Sequence, residues 1–218
     1  MIPVYTGFDA REEIGWHAFA ASVMDRATES VAFIPVSGPQ RDGSNTFTAA
    51  RFLVPFLQRY EGFAVFADAC DMVCMADIAD LWALRDSQYA VQVVKHDYQT
   101  KHPRKYVGTE MESPNVMYPR KNWASLMLVN CEHEAWRRVL PEVVDMPARA
   151  LLEFRFLKDD EIGELPRVWN WLADEFGEND SAKLIHWTAG IPAFPAYTDA
   201  PMADLWAAAA LKAQHATK

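Results

Sequence analysis

Gly62-Phe63-Ala64-Val65-Phe66-Ala67-Asp68-Ala69-Cys70-Asp71-Met72-Val73-Cys74-Met75 is the stretch whose reading decides the fold. Its apolar run has the length of a buried strand and stops abruptly at two carboxylates, Asp68 and Asp71. A second apolar run, Met72 to Met75, follows at once. Asp77-Ile78-Ala79-Asp80-Leu81-Trp82 then predicts a short helix, with Asp77 as N-cap and Asp80 adding negative charge to its first turn. A buried strand ending in clustered carboxylates fits a ligand or metal site at the carboxyl edge of a sheet. Asp also serves as an ordinary loop and cap residue, so position alone leaves both readings open.

Upstream, Ile2 to Thr6 predicts a strand that turns polar at Thr6-Gly7-Phe8-Asp9-Ala10-Arg11. A helix is expected from Glu12 to about Ala27, with Ile14, Ala18, Ala21 and Met24 toward the sheet. Val31 to Val36 predicts the next strand, and Ser37 to Ser44 a loop. A second helix is expected over Thr46 to Tyr60, with Phe47, Ala50, Leu53 and Leu57 on one face and Pro55 kinking or breaking it. This alternation of strand and helix predicts parallel pairing through right-handed crossovers.

Downstream, Tyr89 to Val94 predicts a strand ending in Lys95-His96-Asp97-Tyr98. A long polar loop runs from Gln99 to Lys121, a length usually reserved for function or mobility. Ala124 to Val129 predicts a strand, with helices over Glu132 to Leu140 and Ala148 to Leu157. Lys183-Leu184-Ile185 runs into His186-Trp187-Thr188-Ala189-Gly190, and Ala203 to Gln214 predicts a terminal helix. No internal repeat or linker interrupts residues 1–218, so one α/β domain is expected.

The 218 residues are 50% hydrophobic and 23% charged, enough for a full core and against long disorder. A formal net charge of -9 argues against general nucleic-acid binding and against an anionic membrane surface. Three cysteines, Cys70, Cys74 and Cys131, suit a reducing compartment. No signal peptide is visible and no run reaches about 18 apolar residues. A soluble cytoplasmic protein without a transmembrane segment is therefore expected.

Asp9 and Arg11 follow the first strand, where Asp can accept from a base or ribose and Arg can grip a phosphate. Neither a G-x-G-x-x-G nor a Walker lysine accompanies them. Lys95, His96, Lys101, His102, Arg104 and Lys105 form a basic set suited to an anion or acceptor. His186 offers an imidazole of the kind that suits manganese-like ions, and it equally fits a hydrogen-bonded packing role.

The order of these pieces resembles glycosyltransferase family 8, the retaining transferases of the glycosyltransferase A fold. Ala50-Arg51-Phe52-Leu53-Val54-Pro55-Phe56-Leu57 followed by Phe63 to Trp82 carries the most specific likeness. Trp123 to Asn130, Asp159-Asp160-Glu161 and His186-Trp187-Thr188-Ala189-Gly190 follow in the family's order. The resemblance implies a mostly parallel, Rossmann-like sheet flanked by helices, with a small antiparallel extension. It implies a UDP-sugar donor and a Mn²⁺ or Mg²⁺ ion held by Asp71, His186 and Asp68. Ala69 stands where the family has its first Asp, so the motif is Asp-x-x-Asp and Asp68 reaches the metal only if the turn bulges. Thr6, Asp9, Arg11, Arg51, Lys95 and Asn122 are the implied donor contacts. Asp160, with Asp159, sits where the family has a Gln beside the anomeric carbon, an acid in place of an amide. The family's lysine after the His-x-Thr-Gly segment is missing, and Lys95 or Lys121 is expected to replace it.

The expected function is a metal-dependent hexosyltransferase acting from a UDP-sugar onto a saccharide or other hydroxyl acceptor, with retention. The alternatives are a non-catalytic nucleotide-sugar or glycan-binding domain, and a nucleotidyltransferase. The last wants a Gly- and Arg-rich loop after the first strand that the chain lacks.

Overall fold

A computed structural model describes residues 1–39, 45–143 and 145–215. Part of the expected loop over Ser37 to Ser44, residues 40–44, lies outside the described residues. The strands are β1 (Ile2–Gly7), β2 (Val31–Val36), β3 (Phe63–Ala67), β4 (Met72–Cys74), β5 (Val91–Val93), β6 (Arg104–Lys105), β7 (Ser113–Pro114), β8 (Leu126–Asn130), β9 (Ile162–Glu164), β10 (Trp171–Leu172) and β11 (Leu184–His186). The α-helices are α1 (Glu13–Met24), α2 (Val54–Leu57), α3 (Ile78–Trp82), α4 (Glu134–Val143), α5 (Ala148–Leu152), α6 (Ala173–Phe176) and α7 (Ala203–His215).

The central sheet runs β2-β1-β3-β8-β5-β9. β1 pairs in parallel with β2 and β3, and β5 in parallel with β9. β8 is antiparallel to both its neighbours, so it alone of the six runs against the rest. A second sheet, β10-β11-β4, supplies the antiparallel extension through the β11–β4 pair. The carboxyl ends of β1, β3 and β5 therefore share one edge with the start of β8.

Alternation along the strands splits the core between the two faces of this sheet. Val4, Val65 and Leu128 join one apolar cluster, whereas Tyr5, Phe66 and Val129 join the other. α1 serves two partners at once. Its Phe19 and Val23 enter the sheet cluster, while Ala18 packs with Trp187 and Trp206 of a third cluster toward α7. The buried face is therefore Gly15, Ala18, Phe19, Ser22 and Val23. The expected face is corrected here: Ile14 and Met24 are exposed, because contact with both the sheet and α7 turns the helix away from its simple apolar stripe.

The expected helix over Thr46 to Tyr60 is also corrected. The chain makes a 3-10 turn over Ala50–Leu53, then the single turn of α2 with Pro55 in its first positions. Proline has no N–H to give a longer helix, but its fixed φ suits a helix start. Phe47 is buried and Leu57 is exposed. The helix expected over Ala148 to Leu157 shortens to α5, and Phe154 just beyond it takes a φ of 51°. All three cysteines are free and buried. Among the described residues, no helix is long and apolar enough to cross a membrane.

Candidate functional site

The site forms where β3 ends. Ala69 adopts a φ of 63°, a left-handed conformation uncommon outside glycine. The tight turn it makes is closed by Cys70 N donating to Asp68 O (2.7 Å) and Met72 N donating to Ala69 O (3.0 Å). This is the bulge that the Asp-x-x-Asp spacing requires, and it turns both carboxylates to the same side. Gly15 lets α1 back onto this turn: a Cβ there would stand 1.7 Å from the Cys70 carbonyl oxygen. β4 then pairs with β11 in a register that sets Met72 opposite His186. Trp187 N donates to Asp71 O at 3.0 Å and fixes the same junction. One ligand atom each from Asp68, Asp71 and His186 thereby lie within 4.8 Å of one another.

The donor set suits a hard or borderline divalent ion. Asn170 Nδ2 donates to Ser125 Oγ at 2.8 Å, which directs Asn170 Oδ1 toward His186 Nδ1, 2.9 Å away. The Nδ1 proton is thus committed to Asn170, which leaves Nε2 facing Asp71, whose Oδ2 is 3.2 Å away, as the atom free to take a proton or a metal. Asp71 Oδ1 is buried with no hydrogen-bond partner. A buried carboxylate oxygen left in that condition is costly unless a cation completes it. The residues present fit a divalent metal.

Charge around this point is dense. Arg51 is only 4% exposed and sits between the rings of Phe47 and Phe66, at 5.3 and 5.2 Å. It donates to Asp68 Oδ1 at 2.5 Å, to Ala124 O at 2.8 Å and to Thr48 O at 3.2 Å. Burial pushes the Asp68 carboxyl up to about 7, although Arg51 opposes the shift. Burial, then Asp71 and Asp9, push Glu12 up to about 8. Burial pulls Lys105 down against the attraction of Asp71 and Glu12. Burial also disfavours the charged form of His186, but Asp71 more than compensates and its pKa rises. A cavity of about 80 Å³ is lined by Arg51, Asp68, Asp71, Lys105, Asn122 and His186, among others.

Asp71, Asp68, His186, Arg51 and Asn122 are thus brought together. The other expected contacts stand elsewhere. Thr6 is buried, and its Oγ1 accepts from Trp16 Nε1 at 2.9 Å. Asp9 spends its carboxylate on Arg11, at 2.8 and 2.6 Å, and on Thr46 N at 3.1 Å, and neither Asp9 nor Arg11 lines the cavity. Lys95 lies 5.8 Å from the Trp123 ring, and Lys121 donates to Asn115 Oδ1 and Val116 O. The lysine that lines the cavity is Lys105, carried in by β6, and neither Lys95 nor Lys121 lines it.

Asp159 and Asp160 stand apart from this cavity. They form an exposed 3-10 turn leading into the amino end of β9, whereas the site gathers at carboxyl strand ends. Asp159 pairs with Arg120, and neither residue lines the cavity. Glu12 and Asn170 carried no signal in the sequence, since each lies in a segment read only for its structure.

No protein-family model matches the chain. Among solved structures, the bifunctional glycosyltransferase WbbM superposes with a TM-score of 0.70 at 16% identity, over 96% of this chain and 49% of that one. The glycosyltransferase GlyE of Streptococcus pneumoniae TIGR4 gives 0.65 at 14% identity, over 97% of this chain and 61% of that one. The galactosyltransferase LgtC, solved with donor and acceptor sugar analogues, gives 0.64 at 12% identity, over 96% of this chain and 95% of that one. The chain therefore spans about half of WbbM and three fifths of GlyE, and its fold is of the glycosyltransferase A type. In sequence, it is 36% identical over 221 residues to Protein CDI of Arabidopsis thaliana, covering 93% of this chain and 83% of the relative. With the site and fold in view, the chain belongs to the family of Protein CDI.

Proposed function

We propose that this protein is a metal-dependent glycosyltransferase that moves a hexosyl group from a UDP-sugar to a hydroxyl acceptor. The observation that carries the reading is the cluster of half-buried Asp68 with buried Asp71 and His186, with its unpartnered Asp71 oxygen, beside the cations Arg51 and Lys105. The three would hold Mn²⁺ or Mg²⁺. When bound, such an ion stabilises the negative charge that develops on a departing diphosphate.

The chain's own residues prepare that step. Asn170 fixes the tautomer of His186. Arg51 holds Asp68 in place and supplies positive charge from a dry site, where it acts at full strength. Lys105 takes the part of the missing diphosphate lysine. Asp174 accepts from Ala189 N at 2.6 Å and from Thr188 Oγ1 at 3.1 Å, which steadies the loop after His186. Retention by front-face attack follows from the family resemblance, with no carboxylate assigned as nucleophile. The buried free cysteines support a reducing, cytoplasmic setting.

The exposed Asp159–Asp160 turn favours a second reading, a domain that binds nucleotide sugars without turning them over. Incubation with Mn²⁺ and a panel of UDP-sugars separates the two. Release of UDP that disappears in Asp71→Asn supports transfer. Thermal stabilisation by UDP without turnover of any donor, with or without acceptors, supports the binding domain.

A further inference from the structure

Two spaces meet at one side chain. The metal cavity and an open chamber of about 370 Å³ beside it both have Tyr118 in their walls, and among the described residues no other lines both. Three tyrosines line the two spaces, and two of them spend their oxygens on the protein. Tyr106 OH accepts from Asn45 Nδ2 at 3.4 Å, and Tyr98 OH accepts from Asn122 Nδ2 at 2.8 Å. Tyr118 differs. Among the described residues its hydroxyl has no hydrogen-bond partner, and it is not one of the unpartnered oxygens sealed off from solvent. Tyr118 is half-buried, so the free oxygen opens onto the space its side chain lines.

The ring itself is held in place. The Arg149 guanidinium lies 4.1 Å from its centroid and the Lys121 ammonium 5.3 Å away. The oxygen also feels the metal cavity. Burial pushes the phenol up to about 12, Arg51 and Arg149 pull against that shift, and Asp68 adds to it. The group is therefore neutral at pH 7, with one O–H to donate and lone pairs to accept. A neutral phenol adds nothing to the charge that Arg51 and Lys105 offer a diphosphate. Its donor and acceptor pair matches the hydroxyls of a sugar.

We propose that Tyr118 is a specificity residue for the transferred sugar, its phenol hydrogen-bonded to a hydroxyl of the hexosyl group where the metal cavity meets the chamber. This rests on the function proposed above. Calorimetric titration of the full chain with Mn²⁺ compares UDP with UDP-glucose, UDP-galactose and UDP-N-acetylglucosamine, in the wild type and in Tyr118→Phe. The variant removes one oxygen that bonds to nothing in the protein and keeps the ring between its cations. It should leave UDP affinity within twofold and weaken the best-bound sugar nucleotide fivefold or more. A smaller loss overturns the proposal. A loss shared by UDP overturns it as well, because it marks a structural role. Monodeoxy analogues of that sugar give a second reading: the one lacking the bonded hydroxyl should lose fivefold or more in the wild type and nothing further in the variant. Equal losses in both chains for every analogue overturn the contact. If UDP itself fails to bind with Mn²⁺, the donor reading falls and the role of Tyr118 with it; if UDP binds and the sugar comparison alone fails, only Tyr118 is removed.

Discussion

Two acidic turns of this molecule differ in almost everything except composition. Asp68 and Asp71 sit at the carboxyl end of a central strand, under α1, wired to Arg51 and His186. Asp159 and Asp160 sit at the amino end of the edge strand β9, in solvent, with Arg120 as the partner of the first. Carboxylates of the first kind are held in a fixed arrangement whose cost of burial is recovered only by cations. Those of the second kind are solvated and interchangeable. Burial with unmet charge, more than acidity, marks the candidate functional cluster.

Substitutions can break or sharpen this contrast. The largest stability effect should come from Arg51→Met, which strands Asp68 in a buried site without its partner. Loss of about 3–5 kcal/mol is expected for breaking a buried pair, read from the midpoint of denaturant unfolding. A loss under about 1 kcal/mol would place the first turn in the surface class. Next comes Asn170→Ala, which frees the His186 ring without touching a ligand atom. A drop of about 10–100-fold in Mn²⁺ affinity is expected, measured by calorimetry.

A smaller effect should appear in the pH dependence of stability. Glu12 has its carboxyl raised from 4.5 to about 8 in the folded chain, so the folded state holds its proton more tightly than the unfolded one. Its contribution is fully present below about pH 4.5 and is lost as pH rises through about 8. The melting temperature of the metal-free protein should fall over that window, and Glu12→Gln should flatten part of the slope. A slope unchanged in the variant would contradict the burial argument for Glu12. The smallest effect belongs to Asp160→Asn. Stability within about 0.5 kcal/mol of wild type and unaltered UDP release are expected. A strong loss of UDP release would move the second turn back into the active machinery.

Much of the architecture was legible from residue order. β1, β2 and β3 follow from apolar runs punctuated by polar turns, and Asp77 caps α3 by accepting from Ala79 N at 2.9 Å. The candidate metal cluster was legible because two aspartates and a histidine stood at strand ends in the right order. The buried face of α1 was not, because a helix shared between a sheet and α7 presents two adjoining faces and no single stripe. The Arg51 segment looked like a long helix because a 3-10 turn and a short α-helix share nearly the same apolar spacing. Lys105 was one cation among six in a polar loop, and only the pairing of β6 with β7 and the bond from Tyr106 N to Ala189 O carry it to the site. Asp160 is the opposite case: its motif resembles a catalytic one, but it leads into the amino end of β9, away from the cavity lined by Asp68, Asp71 and His186.

The central claim is that Asp71 anchors a divalent cation which in turn holds a diphosphate. Calorimetric titration of UDP into the wild-type chain and into Asp71→Asn, each with and without Mn²⁺, tests it most directly. The account predicts Mn²⁺-dependent UDP binding in the wild type and its loss, by roughly two orders of magnitude, in the variant. UDP binding that is equal in both chains, or indifferent to Mn²⁺, would contradict it.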